Sequence, residues 1–442
     1  MLATPNLPAR YEVGGLQLSA VVTVALLALC TATIVRSRPH GLAVARPLVP
    51  LAGFVAWMLT LGVLRGFGDR GLEQVGVMAL FGLMALVAAR CDEDAALAAR
   101  TWLLWTGWAL AAVHAVALSV YGPHDRTLLS PRSFAVAALL VIAVAVPRPS
   151  TDRLARWLPW VLSLLVLLSL SRAATGVAAV LLCVRLLHDA PGQRSRRTAA
   201  GAAALLAIGL AIAVLRTGTL HDRMFEVPPG QRPFSVAGVT INAQGRVELW
   251  RDLADEIRAP HLGGFGPGAS SAHLVGKHGP VAEPHNDYLR VLFDGGSVGL
   301  LLLVGGVLHL LRHIVRRARA AGSDRLAAAP HMTAALAIGA VAITMLTDNP
   351  IIYTWVMAPA GVLVGLSLAS THAARNKPPL VGRDSAVRVA TALTGRKGAG
   401  REVGGGLSTV DRPDIEAGGA LGRTGVEHHA RDWKAGALFQ DD

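Results

Sequence analysis

Residues 283–311 read EPHNDYLRVLFDGGSVGLLLLVGGVLHLL, a dense polar run followed directly by an apolar run. The apolar part, Val291–Leu311, has about the 20 residues that a helix needs to cross a bilayer. The stretch therefore indicates a transmembrane helix with a polar segment at one membrane interface.

The composition extends this pattern to the whole chain. Of the 442 residues, 52% are hydrophobic and only 16% are charged, and the mean hydropathy is +0.47. Soluble domains have about 25% charged residues, which excludes an ordinary cytosolic enzyme. The sequence predicts an all-α, polytopic integral membrane protein with about 11 transmembrane helices, within a range of 10 to 12, and one large extracytoplasmic loop.

The predicted helices are Leu16–Val35, Leu48–Leu64, Leu72–Ala89, Thr101–Val120, Ser133–Val146, Leu154–Leu170, Ala173–Leu187, Thr198–Leu215, Val291–Leu311, Ala329–Leu346 and Ile351–Ser370. The chain thus divides into helices 1 to 8 (1–215), an extracytoplasmic loop with a short amphipathic helix (216–290), helices 9 to 11 (291–370) and a tail (371–442). The tail is rich in Gly and charged residues, and we expect it to be disordered and cytoplasmic.

The net charge of +13 is explained by topology rather than by nucleic-acid binding. Alternating the helices places sixteen arginines on one side: Arg36, Arg38, Arg46, Arg90, Arg100, Arg148, Arg153, Arg156, Arg194, Arg196, Arg197, Arg312, Arg316, Arg317, Arg319 and Arg325. The opposite side has six: Arg10, Arg65, Arg70, Arg126, Arg132 and Arg172. The positive-inside rule makes the arginine-rich side cytoplasmic. We expect the protein to lie in the inner (plasma) membrane of the cell. The three cysteines are far apart and indicate neither a disulfide framework nor a zinc site.

Two unusual arginines lie on the predicted outer face. Arg172 interrupts a long apolar stretch and would lie at the tip of a helix hairpin. Its side chain could reach lipid headgroups, but the positive-inside bias disfavours a lone arginine on this side. Arg246 begins the segment Gly245–Arg258, whose apolar residues recur at the spacing of an amphipathic helix against the membrane or the bundle.

The arginines of that amphipathic helix differ in how local physics explains them. Arg251 has acidic neighbours at ion-pair spacing, and Arg258 lies at the carboxyl end, where the helix dipole favours a cation. Arg246 lies at the amino end, where the dipole disfavours one. Arg246 is therefore the better candidate for binding an anion.

His285 is the candidate catalytic residue. It precedes a transmembrane helix at the outer interface, where its side chain can meet both water and a lipid-borne substrate. Histidine titrates near neutral pH and suits proton transfer. The alternative is a loop histidine with no such task. Gly295 and Gly299 form a small-xxx-small pattern that favours close helix packing.

Together these residues resemble the O-antigen ligase and polymerase-like membrane glycosyltransferases. The match consists of Ser171-Arg172 before a helix, Gly245-Arg246 with Trp250 four residues on, Gly263-Gly264-Phe265-Gly266, and His285-Asn286-Asp287-Tyr288-Leu289 with Gly296 and Gly299. It covers residues 168–311. The order, spacing and common sidedness of the motifs make the set specific, although each motif alone is weak.

The resemblance implies transfer of a glycan from an undecaprenyl-diphosphate carrier to a glycan or lipid acceptor on the outer face, in cell-surface polysaccharide biosynthesis. Bidentate arginines suit a diphosphate leaving group, which assigns Arg172 and Arg246, with Arg251 and Arg290 in reserve. His285 would be the general base of an inverting attack. The outer loop has no Asp-x-Asp motif, so we expect no metal ion and no cofactor.

The neighbouring motif residues receive secondary roles under this resemblance. Asn286 and Asp287 would orient the imidazole or bind sugar hydroxyls, and Tyr288 would supply a stacking face. The run Gly263–Gly268 would be a flexible loop that admits two bulky glycans. The partners would be the lipid-linked glycan, the acceptor and membrane lipid.

Two other functions remain open at this stage. A multi-pass transporter of a lipid-linked glycan or small anion has a similar hydropathy, although transporters place ionisable groups at mid-membrane depth, where this chain has few. A non-catalytic assembly subunit would depend on the tail. Within the family, the sequence does not distinguish a polymerase from a ligase.

Overall fold

The computed structural model describes residues 12–376 with gaps at 14–15, 37–44, 69, 123–129, 149–151, 191–192, 217, 219–220, 222–224, 228–233, 237–238, 243–244, 258–261, 280–281 and 323. All of them belong to one folding unit, Met1–Pro378. Residues 371–376 continue the last helix. The rest of the tail, which the sequence predicts to be disordered, lies outside the described residues. Arg258, expected at the carboxyl end of the amphipathic helix, also lies outside them.

A helix is present at each of the eleven predicted apolar segments. These helices are α1 (Leu18–Arg36), α2 (Val49–Arg65), α3 (Gly71–Ala88), α4 (Glu93–Tyr121), α5 (Pro131–Ala145), α6 (Arg153–Leu168), α7 (Arg172–Asp189), α8 (Gln193–Arg216), α11 (Asp287–Ala320), α12 (Arg325–Thr344) and α13 (Thr354–Asn376). Between α8 and α11 lie α9 (Arg246–Ile257) and α10 (Ala269–His278). Two small antiparallel hairpins pair β1 (Glu12–Val13) with β2 (Leu16–Gln17) and β3 (Phe234–Val236) with β4 (Val239–Ile241).

Five helices in the described part of the chain are long and apolar enough to cross a membrane: Arg46–Arg65, Gly71–Ala88, Glu93–Tyr121, Asp287–Ala320 and Arg325–Thr344. Three shorter apolar helices are Ala20–Arg36, Pro131–Ala145 and Thr354–Ala369. These helices are those of a polytopic membrane protein, as predicted. The number of crossings and their orientation stay predictions.

The bundle packs around α5, in which every residue from Ser133 to Ala145 is buried. A helix that is apolar on all faces belongs in the interior. Its carboxyl end has unpaired carbonyls that need donors, and the buried Arg185 of α7 donates to the carbonyls of Ala145 and Val146, both at 2.8 Å. The same guanidinium pairs with Asp189 at 2.9 Å, so its charge is neutralised.

Helix α11 is kinked at Gly296, and the glycine-rich run packs into the kink. Gly296 has φ 66° and ψ −169°, a region essentially restricted to glycine. The carbonyls of Phe293 and Asp294 lose their partners one turn on, and they accept instead from the N–H groups of Phe265 at 3.0 Å and Gly266 at 2.9 Å. A Cβ on Gly296 would overlap the carbonyl of Leu262.

The glycine-rich run is held from its other side as well. The N–H of Gly68 donates to the carbonyl of Pro267 at 2.9 Å, and Arg65 donates to the carbonyl of Gly264. The buried Asp294 accepts from the N–H groups of Gly268 and Ser270 at 3.1 and 2.7 Å, which caps α10. The prediction that Gly263–Gly268 forms a flexible loop is therefore wrong. Its glycines let the run pack closely against the backbone of α11 and of the turn before α3.

The predicted amphipathic helix is present as α9, which packs on protein. Leu253 of α9 forms a small core with Leu274 of α10, Ala282, and Phe293 of α11. Its polar face is joined to α10 by a hydrogen bond between Asp252 and the His278 ring. This second core supports the backbone that leads into α11.

We expect Gly296→Ala to lower the free energy of unfolding by about 1–3 kcal/mol, because this backbone conformation is strained for any residue with a side chain. The added Cβ would also overlap the Leu262 carbonyl. Thermal unfolding in detergent measures this. The matched control is Gly305→Ala in the same helix, where nothing lies within 4 Å of the new Cβ. Equal melting temperatures for the two variants would contradict the proposed packing.

Candidate functional site

His285 lies in the short connection before α11, and its backbone is fixed on both sides. The indole of Trp250 in α9 donates to the carbonyl of Pro284 at 2.7 Å, and the N–H of Asp287 donates to the carbonyl of Met345 at 2.8 Å. His285 itself has a positive φ of 48°, which is uncommon for a residue with a side chain and frequent at functional sites. The fold therefore holds this histidine in a defined and strained position.

The Nδ1 atom of His285 faces three polar groups. Asn349 Nδ2 lies at 3.3 Å and Arg132 Nη1 at 3.4 Å, while the nearest carboxylate oxygen of Asp348 is 3.9 Å away. Burial and the positive charges of Arg132 and Arg246, opposed by Asp348, lower the pKa of His285 below its ordinary value. The imidazole is therefore neutral at pH 7.

Asp348 is the buried anion of the site. It lies between α12 and α13, with the Tyr353 hydroxyl 3.3 Å from Oδ1 and Arg132 Nε 3.8 Å from Oδ2. Burial alone would raise the pKa of this carboxyl, but His285 and Arg132 hold it below its ordinary value. Asp348 is thus ionised beside the histidine.

Arg246 and Arg172 complete the cluster. Burial, together with the charges of Arg132 and Arg172 and against the attraction of Asp348, lowers the pKa of Arg246 to about 10. Arg246 is therefore still protonated at neutral pH. Arg172, the first residue of α7, donates to the carbonyl of Asn242, four residues before Arg246. The structure thus brings both predicted anion-binding arginines to one place.

We call Arg132, Arg172 and Arg246 the arginine cluster. Asp348 lies beside this cluster, 3.8 Å from Arg132, and the charges of Arg132 and Arg172 act on Arg246. Like charges held together in a partly buried site repel one another. Binding of an anion at the cluster stays a prediction.

The polar residues after His285 build the loop rather than face the cluster. Asn286 caps α11 by accepting from the N–H of Leu289 at 3.0 Å, and the fully buried Asp287 accepts from the N–H of Ile351 at 3.0 Å. The Tyr288 hydroxyl donates to the carbonyl of Ala342 at 2.8 Å. These contacts give all three residues structural partners, and the roles predicted for them stay predictions.

Arg290 is also structural, contrary to its predicted reserve role. Its side chain is 1% exposed and donates to Glu283 and to the Ser271 hydroxyl. Glu283 pairs in addition with Arg70 at 2.7 Å. Both ion pairs outweigh burial and lower the pKa of Glu283. Arg251 lies exposed on α9, and its reserve role stays a prediction.

Four site residues could not be selected from the motifs: Arg132, Asp348, Asn349 and Tyr353. Arg132 was among the six arginines on the arginine-poor side, so the argument applied to Arg172 would also have selected it. Asp348 forms part of a polar Thr-Asp-Asn-Pro run between two apolar helices, at 347–350. Tyr353 gave no such signal, since its role depends on a tertiary contact.

No group of three or more His, Cys, Asp or Glu side chains among the described residues is placed to hold a metal ion. The site chemistry available in this part of the chain consists of guanidinium groups, one imidazole, one carboxylate and one phenol. Metal independence of the reaction stays a prediction.

The fold and site together are those of a polytopic helical membrane protein with an arginine cluster next to a partly exposed histidine. Residues 157–304 match the model of the O-antigen ligase family, the family that the motifs at residues 168–311 resemble. This match supports a role in membrane glycan transfer. A search of curated proteins finds no match. Arg132, Asp348 and Tyr353 lie outside the matched region.

We expect the pKa of His285 to rise in Arg246→Gln, because removing a nearby positive charge favours the imidazolium, and to fall further in Asp348→Asn, which removes a nearby negative charge. The pH dependence of carbethoxylation at His285, followed by mass spectrometry, measures this, since only the neutral ring reacts. The wild-type midpoint should lie below pH 6.5. Unchanged midpoints in both variants would contradict the electrostatic coupling.

Proposed function

We propose that the protein transfers a glycan from an undecaprenyl-diphosphate carrier to an acceptor hydroxyl on the outer face of the membrane. The observation that supports this most directly is the arginine cluster beside a neutral His285. The cluster has cationic donors suited to a diphosphate, and the histidine is suited to accept a proton. The O-antigen ligase domain supports the same reaction class.

The arginine cluster would bind the diphosphate of the donor. A guanidinium is planar, stays protonated and presents paired donors to phosphate oxygens. Arg246 lies near both Arg132 and Arg172, whose charges act on it, so the three guanidinium groups could bind one diphosphate together. As the glycosidic bond breaks, negative charge develops on the leaving diphosphate, and fixed cations in a partly buried site stabilise it.

His285 would act as the general base in its neutral form. The lowered pKa keeps the ring neutral at pH 7, and Asp348 stabilises the imidazolium once it forms.

The reaction would then proceed in one displacement. The acceptor hydroxyl gives its proton to the His285 imidazole while its oxygen bonds to the anomeric carbon of the donor sugar. The bond from that carbon to the phosphate oxygen breaks, and its electron pair leaves with the lipid diphosphate. Attack from the opposite face inverts the anomeric configuration.

His285→Ala should reduce transfer by about 10²–10⁴-fold, the usual contribution of a general base. Arg246→Ala and Arg132→Ala should also reduce it strongly, and Arg246→Lys should recover only part because it keeps the charge but loses the paired donors. The assay follows transfer from an undecaprenyl-diphosphate glycan by protein in liposomes. The matched control is Lys277→Ala, an exposed outer-loop cation on α10.

Wild-type rates in both His285→Ala and Arg246→Ala would overturn the assignment. Flux of the lipid-linked glycan or of a small anion without transfer would favour the transporter alternative. Folding of each variant is checked by its elution profile in detergent, so that loss of activity is not confused with loss of protein.

Chelation should leave the transfer rate unchanged. In this mechanism the arginine cluster stabilises the leaving diphosphate, the task that a divalent cation performs in many phosphate-releasing enzymes. Transfer is measured after dialysis against EDTA and again after Mg²⁺ or Mn²⁺ is restored. A rate that falls on chelation and recovers with the metal would contradict this part of the proposal.

A further inference from the structure

Four basic side chains lie near one another at the end of the bundle opposite the candidate site. His313 and Arg317 lie towards the end of α11, which begins at the site, and His331 lies near the start of α12, which leads back to it. Arg100 lies near the start of α4. The charges of the other three side chains act on His331, which shows that they are neighbours. We call these side chains the distal basic cluster: Arg100, His313, Arg317 and His331.

The two faces of α11 distinguish this cluster from ordinary surface charge. Three arginines at this end of the helix are exposed: Arg312, Arg316 and Arg319. His313 and Arg317, four residues apart on one face of the helix, are only partly exposed. His331 is 5% exposed, and its Nδ1 atom lies 2.8 Å from the Ser367 hydroxyl of α13. The positive-inside rule accounts for exposed arginines, but it gives no reason to bury basic groups between helices.

The charges around the distal basic cluster add to its positive potential. Arg148, which follows α5, acts on Arg100, and Arg316 acts on His313. Asp152 pairs with Arg148 at 3.5 Å, so that carboxylate is already engaged. Cations held together in a partly buried place repel one another. An anion bound among them would offset that repulsion.

The depth of the cluster in the membrane suits a phospholipid headgroup. From Arg100 to the end of α4 at Tyr121, the helix rises about 32 Å at 1.5 Å per residue, close to the roughly 30 Å of a hydrocarbon core. Arg100 therefore lies at headgroup level when α4 spans the membrane. The arginine count makes this side cytoplasmic, the side on which basic pockets between helices meet anionic lipids.

We propose that the distal basic cluster binds the phosphodiester headgroup of an anionic phospholipid. Arg100 and Arg317 would present paired donors to the phosphate oxygens, with His313 and His331 beside them. The bound headgroup would join α4 to α11 and α12. Because α11 begins at the candidate site and α12 ends close to it, the lipid would stabilise the helices that hold the site. This binding does not depend on the proposed transfer reaction.

The test is native mass spectrometry of the full chain in detergent, titrated with phosphatidylglycerol. We expect one copy to bind several-fold more tightly than further copies and than phosphatidylcholine, whose headgroup has no net charge. Arg100→Gln and Arg317→Gln should each weaken this binding about tenfold, as expected for the loss of a charged hydrogen bond. Arg317→Lys keeps the charge and should weaken it less. The matched control is Arg319→Gln, the same loss of charge at an exposed position of the same helix.

Thermal unfolding in detergent gives a second measurement. Phosphatidylglycerol should raise the melting temperature of the wild type and of Arg319→Gln, because a ligand stabilises a folded protein that binds it. The rise should be smaller in Arg317→Gln. Inorganic phosphate at the same concentration should not reproduce the rise. The elution profile of each variant shows that weaker binding does not result from misfolding.

Equal weakening of phosphatidylglycerol binding in Arg317→Gln and Arg319→Gln would overturn the proposal, because the lipid would then respond to surface charge in general. Equal affinity for phosphatidylglycerol and phosphatidylcholine would overturn it as well. If inorganic phosphate reproduced the whole rise in melting temperature, the occupant would be a free anion, and the assignment to a lipid would be wrong.

Discussion

The structure around the site depends on one buried cation. Arg290 is the largest fully buried side chain, and a buried charge that loses its partner destabilises a fold by about 3–5 kcal/mol. Its partner Glu283 lies two residues before His285 and also pairs with Arg70, in the turn before α3. Because Arg290 must stay paired, Glu283 is held in place, and so is the backbone from which His285 projects.

Six arginines of the described residues differ in how closely a carboxylate approaches them. Arg70, Arg185 and Arg290 have carboxylate partners within 3 Å and hold helices and loops together. The arginine cluster has Asp348, at 3.8 Å from Arg132. Burial first, and the charges of Arg132 and Arg172 after it, lower the pKa of Arg246 to about 10. A bound diphosphate would offset both effects, which is a physical reason for affinity at this position.

Much of the fold followed from hydropathy, because each apolar segment long enough to span lipid must satisfy its backbone hydrogen bonds within a helix. Arg172 and Arg246 could be selected from the sequence because local physics gave no reason for them, and His285 because it precedes an apolar helix in a polar run. The structural contacts of Asn286, Asp287 and Tyr288 could not be predicted, because a residue that caps a helix and one that binds a sugar have the same polar side chains. Asp348 and Arg132 lie 216 residues apart, so only the folded bundle shows that they meet.

The site takes its residues from distant parts of the chain, so it needs a firmly held backbone around α11. The family match ends at residue 304 and begins at 157, yet Arg132 enters the site from α5 and Asp348 from the turn after α12. Three separate parts of the chain therefore meet at the site. Arg132 and Asn349 come within 3.4 and 3.3 Å of His285 Nδ1. Loops can be positioned this closely only when their own backbone groups are satisfied. The kink at Gly296 meets this need, because the carbonyls that it frees in α11 accept hydrogen bonds from the glycine-rich run, and that run in turn binds the turn before α3.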